Sequence, residues 1–280
     1  MGMRMIGCGM IVLGLAWATP AVAASFDCAK AATQQEKLIC GDPRLSEADE
    51  ALAKAYRAAL LGAVDKDGFK RRQQEWIRQT RNGCQDAPCL RNAYAARLVA
   101  LEETMHKAAQ EALREANERF SFQGKPINPR MLEELLPWLS DNLPGPVAVD
   151  LAGGENRYFA EINALQKGGV RAVWDEGNEQ HSCQYQHLGR LANGMHVVRI
   201  AAQSGGSGIF TDLLLVRFLV DAEYGDGGMR RNRLLMMRAG SFPLGDRYDG
   251  AIAVQADTIS IGPGGGGLRA GAKTEVISIK

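Results

Sequence analysis

Four cysteines, Cys28, Cys40, Cys84 and Cys89, lie within the first third of the chain, and no other feature limits the fold so tightly. In an oxidising compartment, four clustered thiols read as two disulfides. A zinc site is the rival reading. The spacings Cys28-x11-Cys40 and Cys84-x4-Cys89 lack the close C-x2-C knuckle that zinc sites use, so bridges are preferred. Three pairings exist. The local pairs Cys28–Cys40 and Cys84–Cys89 are favoured. The crossed pairings stay open, because all four cysteines can gather at one end of a helical hairpin. Cys183 is left over, either buried and reduced or pairing between chains.

The N-terminus decides the compartment. Arg4 is followed by an uncharged apolar run, Ile6–Ala18, and then by the small residues Ala21-Val22-Ala23-Ala24. A basic start, a short apolar core and a small-residue cleavage site mark a secretory signal peptide, here residues 1–24. The run is shorter than the roughly 20 residues a membrane span needs. Cys8 stands ahead of most of the apolar core, so lipid attachment is not expected. No later segment is long and apolar enough to span; Asp212–Val220 has strand length. The mature chain is expected to be periplasmic or secreted, with no transmembrane segment.

Charge narrows the partners. The chain carries 33 bases and 32 acids, and its 46% hydrophobic content is globular rather than disordered. A near-neutral chain lacks the basic footprint of a nucleic-acid binder. Glycine, at 32 residues, favours turns and β-structure over an all-helical fold.

From Thr33 to about residue 104 the pattern is helical. Thr33-Gln34-Gln35-Glu36 is a capping box that predicts a short helix ending near Cys40. Asp42-Pro43 starts a second, in which Leu45, Ala48, Leu52, Ala55, Tyr56, Ala59 and Leu60 recur at helical spacing. Glu47, Asp49 and Glu50 are expected to serve its dipole rather than to form a catalytic acid cluster. A third helix spans Phe69 to about Gln79, with Phe69, Gln73, Trp76 and Ile77 on one side. A fourth carries Leu90, Tyr94, Leu98 and Leu101 inward. Short connections make antiparallel neighbours.

The ordered set Phe26-Asp27-Cys28-Ala29-Lys30-Ala31, Glu36, Ile39-Cys40, Leu45, Tyr56, Gln74, Trp76, Arg78, Arg81, Cys84, Cys89-Leu90, Tyr94 and Arg97 closely resembles the LprI-type lysozyme-inhibitor domain. The resemblance covers about residues 25–104. It implies a secreted, helical, disulfide-bonded module and a lysozyme or other cell-wall hydrolase as partner. Asn82 departs from the family, which usually carries Asp there. The resemblance names no interface residues. Residues 25–104 hold 13 bases and 12 acids. Lysozymes are usually cationic, and fast steering towards one needs an acidic field. This segment supplies none, so inhibition must rest on shape and a few local contacts.

Residues 105–119 continue as a helical linker rich in Ala, Glu and Arg. After Phe120 the texture changes. Phe120–Gln123 reads as a strand and Pro129–Ser140 as one amphipathic helix. Strand-like runs follow at Val147–Leu151, Arg157–Ile162, Gly169–Trp174, Cys183–Leu188, His196–Ala201, Phe210–Val220, Arg233–Arg238, Ile252–Gln255, Thr258–Ile261 and Glu275–Ile279. Asn193-Gly194 is a hairpin signal. Residues 120–280 are therefore expected to form a mainly antiparallel sheet, sandwich or partly closed barrel. The fold class is α+β.

Four motifs could carry chemistry. Gly205-Gly206-Ser207-Gly208 lacks the final Gly of a nucleophile elbow, because Ile209 stands there, and reads as a turn or bulge. Gly262–Gly267 with Lys273-Thr274 is a poor phosphate loop, since Ala272 precedes the Lys and a strand follows. Cys183 and His187 share one face of a strand, and His181 joins them if the strand extends back that far. They are the candidates for a metal site or an imidazole-armed thiol, with Asp175, Glu176 and Glu179 nearby in sequence. Asp150 and Asp212 are nominal candidates for a glycosidase carboxylate pair. The leading expectation is a binding protein without cofactor, acting by steric contact. The rivals are an envelope enzyme or metal-binding protein with its site at His181, Cys183 and His187, and a structural envelope module.

Overall fold

The computed structural model describes residues 24–63, 65–140, 143–144, 146–151, 161–224, 230–265 and 269–279. The expected signal peptide lies outside these residues but for Ala24, as do Arg157–Ala160 of one expected strand and parts of the glycine-rich turns at 224–228 and 264–267.

Each helix of the N-terminal half starts at a side-chain cap. Thr33 and Glu36 form the reciprocal capping box of α1 (Gln34–Gly41). Asp42 ends α1 and caps α2 (Pro43–Gly62), its carboxylate accepting from the Arg44 N–H at 2.9 Å. Asp65 caps α3 (Lys66–Trp76) and Asp86 caps α4 (Ala87–Arg119), each accepting a backbone N–H at 2.8 Å. Such a cap contributes about 1 kcal/mol. Ile39, Leu45, Leu52, Phe69, Leu90, Tyr94 and Leu101 fill the space between the helices.

The bridges are the local pairs, Cys28–Cys40 and Cys84–Cys89. They close sequence separations of 12 and 5 residues. Loop-closure entropy assigns them about 3 and about 2 kcal/mol. That is a large share of the stability of so small a bundle.

The fourth helix and the helical linker expected over 105–119 are one continuous helix. α4 runs unbroken to Arg119 and stops at Phe120, which adopts the left-handed conformation at φ 51°. Its first half packs in the helical core. Its last two turns, with Leu113 and Ala116, enter a second core beside Phe120 and Phe122.

A two-strand ribbon follows, β1 (Ser121–Phe122) with β2 (Lys125–Pro126), and then α5 (Pro129–Glu133). The helix expected over Pro129–Ser140 is therefore one short turn. Pro137 has no N–H to donate and disfavours helical dihedrals at Leu136. The chain turns instead into β3 (Trp138–Ser140), paired with β4 (Leu143–Pro144). The apolar pattern still does its work: Met131, Leu132, Leu135 and Leu136 are all buried.

The strands β5 (Ala148–Asp150), β6 (Ile162–Ala164), β7 (Gly169–Glu176), β8 (Glu179–Arg190), β9 (His196–Ser204), β10 (Phe210–Tyr224) and β11 (Arg230–Asp246) form one antiparallel sheet. Its order is β5-β11-β10-β9-β8-β7-β6. One face packs on α5 and the end of α4 through Tyr185, Val198, Ile200, Leu214, Val216 and Met236. The opposite face, through Val197, Leu213, Leu215 and Leu244, meets a second sheet of β12 (Ile252–Gln255), β13 (Thr258–Ile261) and β14 (Glu275–Ser278). Strand alternation explains this division, since neighbours in sequence point to opposite faces.

Candidate functional site

In the helical half, a buried carboxylate ties three segments together. The Ser25 N–H and hydroxyl both donate to Asp49 Oδ2, at 2.8 and 2.6 Å. The Tyr94 hydroxyl donates to Oδ1 at 2.6 Å. Asp49, expected to serve the helix dipole, is instead only 5% exposed and clamps α2 to α4. Burial first, and then Asp49, push the Tyr94 hydroxyl far above its ordinary range. At the disulfide end, Gln35 Nε2 donates to the Cys84 carbonyl at 2.7 Å and Arg91 pairs with Asp42 at 2.9 Å. The loop between the second pair of cysteines and α1 is thereby fixed.

Beside this clamp lies a polar and aromatic face. Tyr56 stacks on Phe69 at 5.5 Å, and Trp76 meets the edge of Tyr94 at 5.6 Å. α3 then loosens into a π-helical turn, Ile77–Arg81, a departure that is frequent at functional sites. Asn82 Oδ1 accepts from Arg81 Nε at 3.1 Å. The position thus keeps an acceptor where the family usually has Asp, but not its charge.

In the sheet half, His181, Cys183 and His187 do share one face of β8, but they do not converge. His181 stacks on Trp174 at 5.7 Å, and Arg130 covers the same indole at 4.5 Å. Cys183 is fully buried and its thiol donates to the Pro129 carbonyl at 3.4 Å. Burial pushes that thiol well above its ordinary range, so it is not an armed nucleophile. On α5, burial raises the nearby Glu133 carboxyl to about 7 against the opposing pull of Arg130.

His187 lies at the far end of the strand with a different partner. Its ring is parallel to Phe120 at 4.5 Å, and its Nε2 is 3.0 Å from His196 Nδ1. Asn117 of α4 flanks the pair. Its Nδ2 donates to the Leu113 carbonyl at 2.9 Å, which turns Oδ1 towards His196 Nε2 at 3.4 Å. One imidazole donates to the other across the His187–His196 contact, and the tautomers set the direction. Burial lowers both imidazoles, and the neighbouring His187 and Arg190 charges help bring His196 down to about 3. This is a neutral packing device between α4 and the sheet. Among the described residues, no three His, Cys, Asp or Glu side chains gather so as to hold a metal.

The remaining candidates separate as well. Asp212 is buried on β10, two strands from Asp150 on β5, so the two do not form an exposed carboxylate couple. Ser207 sits in the exposed turn between β9 and β10, where Gly205 has φ 66° and Arg247 takes the Ser207 carbonyl. Sequence reasoning missed His196, Asn117 and Phe120 as the surroundings of His187. The Asn193-Gly194 turn held part of the signal, because it sets Arg190 opposite His196. The register shift between His187 and Gly189, and the length of α4, supplied the rest.

No helix among the described residues is long and apolar enough to cross a membrane. No curated protein and no solved structure matches the chain. No other family covers the part beyond α4. Residues 28–119, which contain both disulfides and end where α4 ends, match the family described as lysozyme inhibitor LprI.

Proposed function

We propose that this chain is an exported, lysozyme-inhibitor-like binding protein. Its disulfide-bonded helical half docks on a lysozyme or another cell-wall hydrolase and blocks it sterically. The observation that carries this reading is the coincidence of the family match, residues 28–119, with the span of α1 to α4 and both bridges. Two disulfides support a location outside the cytoplasm, in the periplasm or beyond. The Asp49 clamp and the four capped helices make the surface rigid, which lowers the ordering cost of docking. No covalent step is required, and the different partners of His181, Cys183 and His187 favour this reading over an enzyme at that cluster. The β-rich half supports the end of α4.

The test is a titration of the oxidised mature chain against several lysozyme classes, following cell-wall lysis. Saturable, stoichiometric inhibition is expected for at least one class. Absence of inhibition and of direct binding for every class would sink the reading and leave a structural envelope module.

A further inference from the structure

Within the near-neutral helical half, charge is unevenly placed. The segment Lys66–Arg97 holds eight bases and three acids. Three of the eight bases carry ion pairs: Lys70 with Asp67, Arg78 with Glu75 and Arg91 with Asp42, the cap of α2. Arg72 and Arg97 are set apart by the rings and the amide that hold them. Among the described residues, neither forms an ion pair.

Arg97 of α4 is held firmly. Its Nε and Nη2 both donate to Gln73 Oε1, at 3.0 and 2.8 Å, and Gln73 is itself only 8% exposed. The guanidinium lies over the Trp76 ring at 5.7 Å. One helix away, the exposed Arg72 guanidinium lies over Phe69 at 5.9 Å. Partial burial and then the Arg72 charge both disfavour the Arg97 cation. Both guanidiniums thus lie over rings of the one helix α3, at Phe69 and two turns on at Trp76, and one of them is half-buried and aimed by an amide. Charges taken from water are ordinarily paired. Arg97 keeps three unused N–H donors and Arg72 keeps all five, in the planar forks that match oxyanions.

We propose that Arg72 and Arg97 form a binding site for an oxyanion, a carboxylate or phosphate group held by the two guanidiniums, which the Phe69 and Trp76 rings support from beneath. Gln73 is the positioning residue, because it orients Arg97 without meeting the anion. The group arrives either on a partner's surface, as an acidic side chain, or as a free polyanion. The inference stands independently of the lysozyme reading.

The experiment uses the oxidised mature chain at fixed ionic strength in chloride. Pyrophosphate and citrate are titrated calorimetrically into wild type, Arg72→Gln, Arg97→Gln and Lys70→Gln. Wild type and Lys70→Gln are expected to bind saturably, and Arg72→Gln at least tenfold more weakly. Because Arg72→Gln removes a like-charged neighbour, its anion-free melting midpoint is expected to equal or exceed that of wild type. Arg72 is exposed, so this variant remains informative if Arg97→Gln misfolds. No saturable binding to wild type, or equal affinity in Arg72→Gln, would overturn the site. Where a lysozyme is bound, competition by pyrophosphate assigns the group to a partner's carboxylate. Anion binding without competition assigns it to a free anion. Loss of lysozyme binding altogether leaves the calorimetric result standing.

Discussion

A buried group on the sheet and a half-buried one on α5 are expected to cancel each other's pH dependence. His196 is 1% exposed and has its pKa brought down from 6.5 to about 3. Its folded form is neutral, so its contribution is present above pH 6.5 and is lost as pH falls towards 3. Between pH 7 and 4.5 that loss is about 2.5 kcal/mol, from 1.36 kcal/mol per pKa unit. Glu133 has the opposite sign. Its pKa is raised from 4.5 to about 7, so its contribution is full below 4.5 and is lost as pH rises to 7. Acidification over the same interval therefore returns about 2 kcal/mol, reduced somewhat because the carboxyl keeps part of its hydration. The sum is nearly flat. Substitution exposes each part. Relative to wild type, His196→Gln should gain about 2.5 kcal/mol on going from pH 7 to 4.5, and Glu133→Gln should lose about 2. Urea unfolding at the two pH values measures both, and differences taken at equal pH cancel the surface carboxylates. A change below about 0.5 kcal/mol for either variant would refute the burial argument for that group.

Three further outcomes follow from the packing. Tyr94→Phe removes a donor from the buried Asp49 and should cost about 1–3 kcal/mol, read as a lower urea midpoint with unchanged slope. Replacing Cys28 and Cys40 by Ser should cost about 3 kcal/mol, and replacing Cys84 and Cys89 about 2, in thermal unfolding of oxidised protein. Gly194→Ala should cost about 1 kcal/mol, because φ is +86° and an added Cβ would meet Arg190 Nη2 at 3.3 Å. A thermal midpoint equal to wild type would contradict it.

Legibility followed the range of the forces involved. Helix starts were readable at Thr33 and Asp42 because each caps its own helix within three residues. Strands β12 and β13 were readable to the residue, being short alternating runs around a tight turn. The early end of α5 was signalled by Pro137 but outweighed in the reading by the apolar period of Met131–Leu139. The period was right about burial and wrong about helix, since buried leucines serve either. The surroundings of His187 were not readable at all. They depend on a register shift in β8 and on where a 33-residue helix stops, and both are set by packing remote in sequence. The Arg72–Arg97 pair was half readable: Phe69, Gln73 and Trp76 share a helical face, but only the crossing of α3 and α4 brings Arg97 to it.

α4 raises the question of whether the two halves unfold together. At 1.5 Å per residue its 33 residues span about 50 Å. Leu101 and Met105 belong to the helical core, and Ala112, Leu113 and Ala116 to the sheet core. Between them, His106, Lys107 and Ala108 are exposed. Among the described residues, the two cores share no buried residue, and Asn232 of β11 shares a cleft with Glu102, Glu103, His106 and Lys107 of this stretch, so the helix itself is the main link between them. Ala108→Pro breaks that backbone at a cost of about 3 kcal/mol. The break leaves each core's side chains in place. Calorimetry of this variant should show two transitions. Reduction of the disulfides should lower the one belonging to α1–α3 and leave the sheet's transition unmoved. A single transition that shifts as a whole on reduction would mean the cores are joined by more than this helix, and that the family-matched half cannot be treated as a unit of its own.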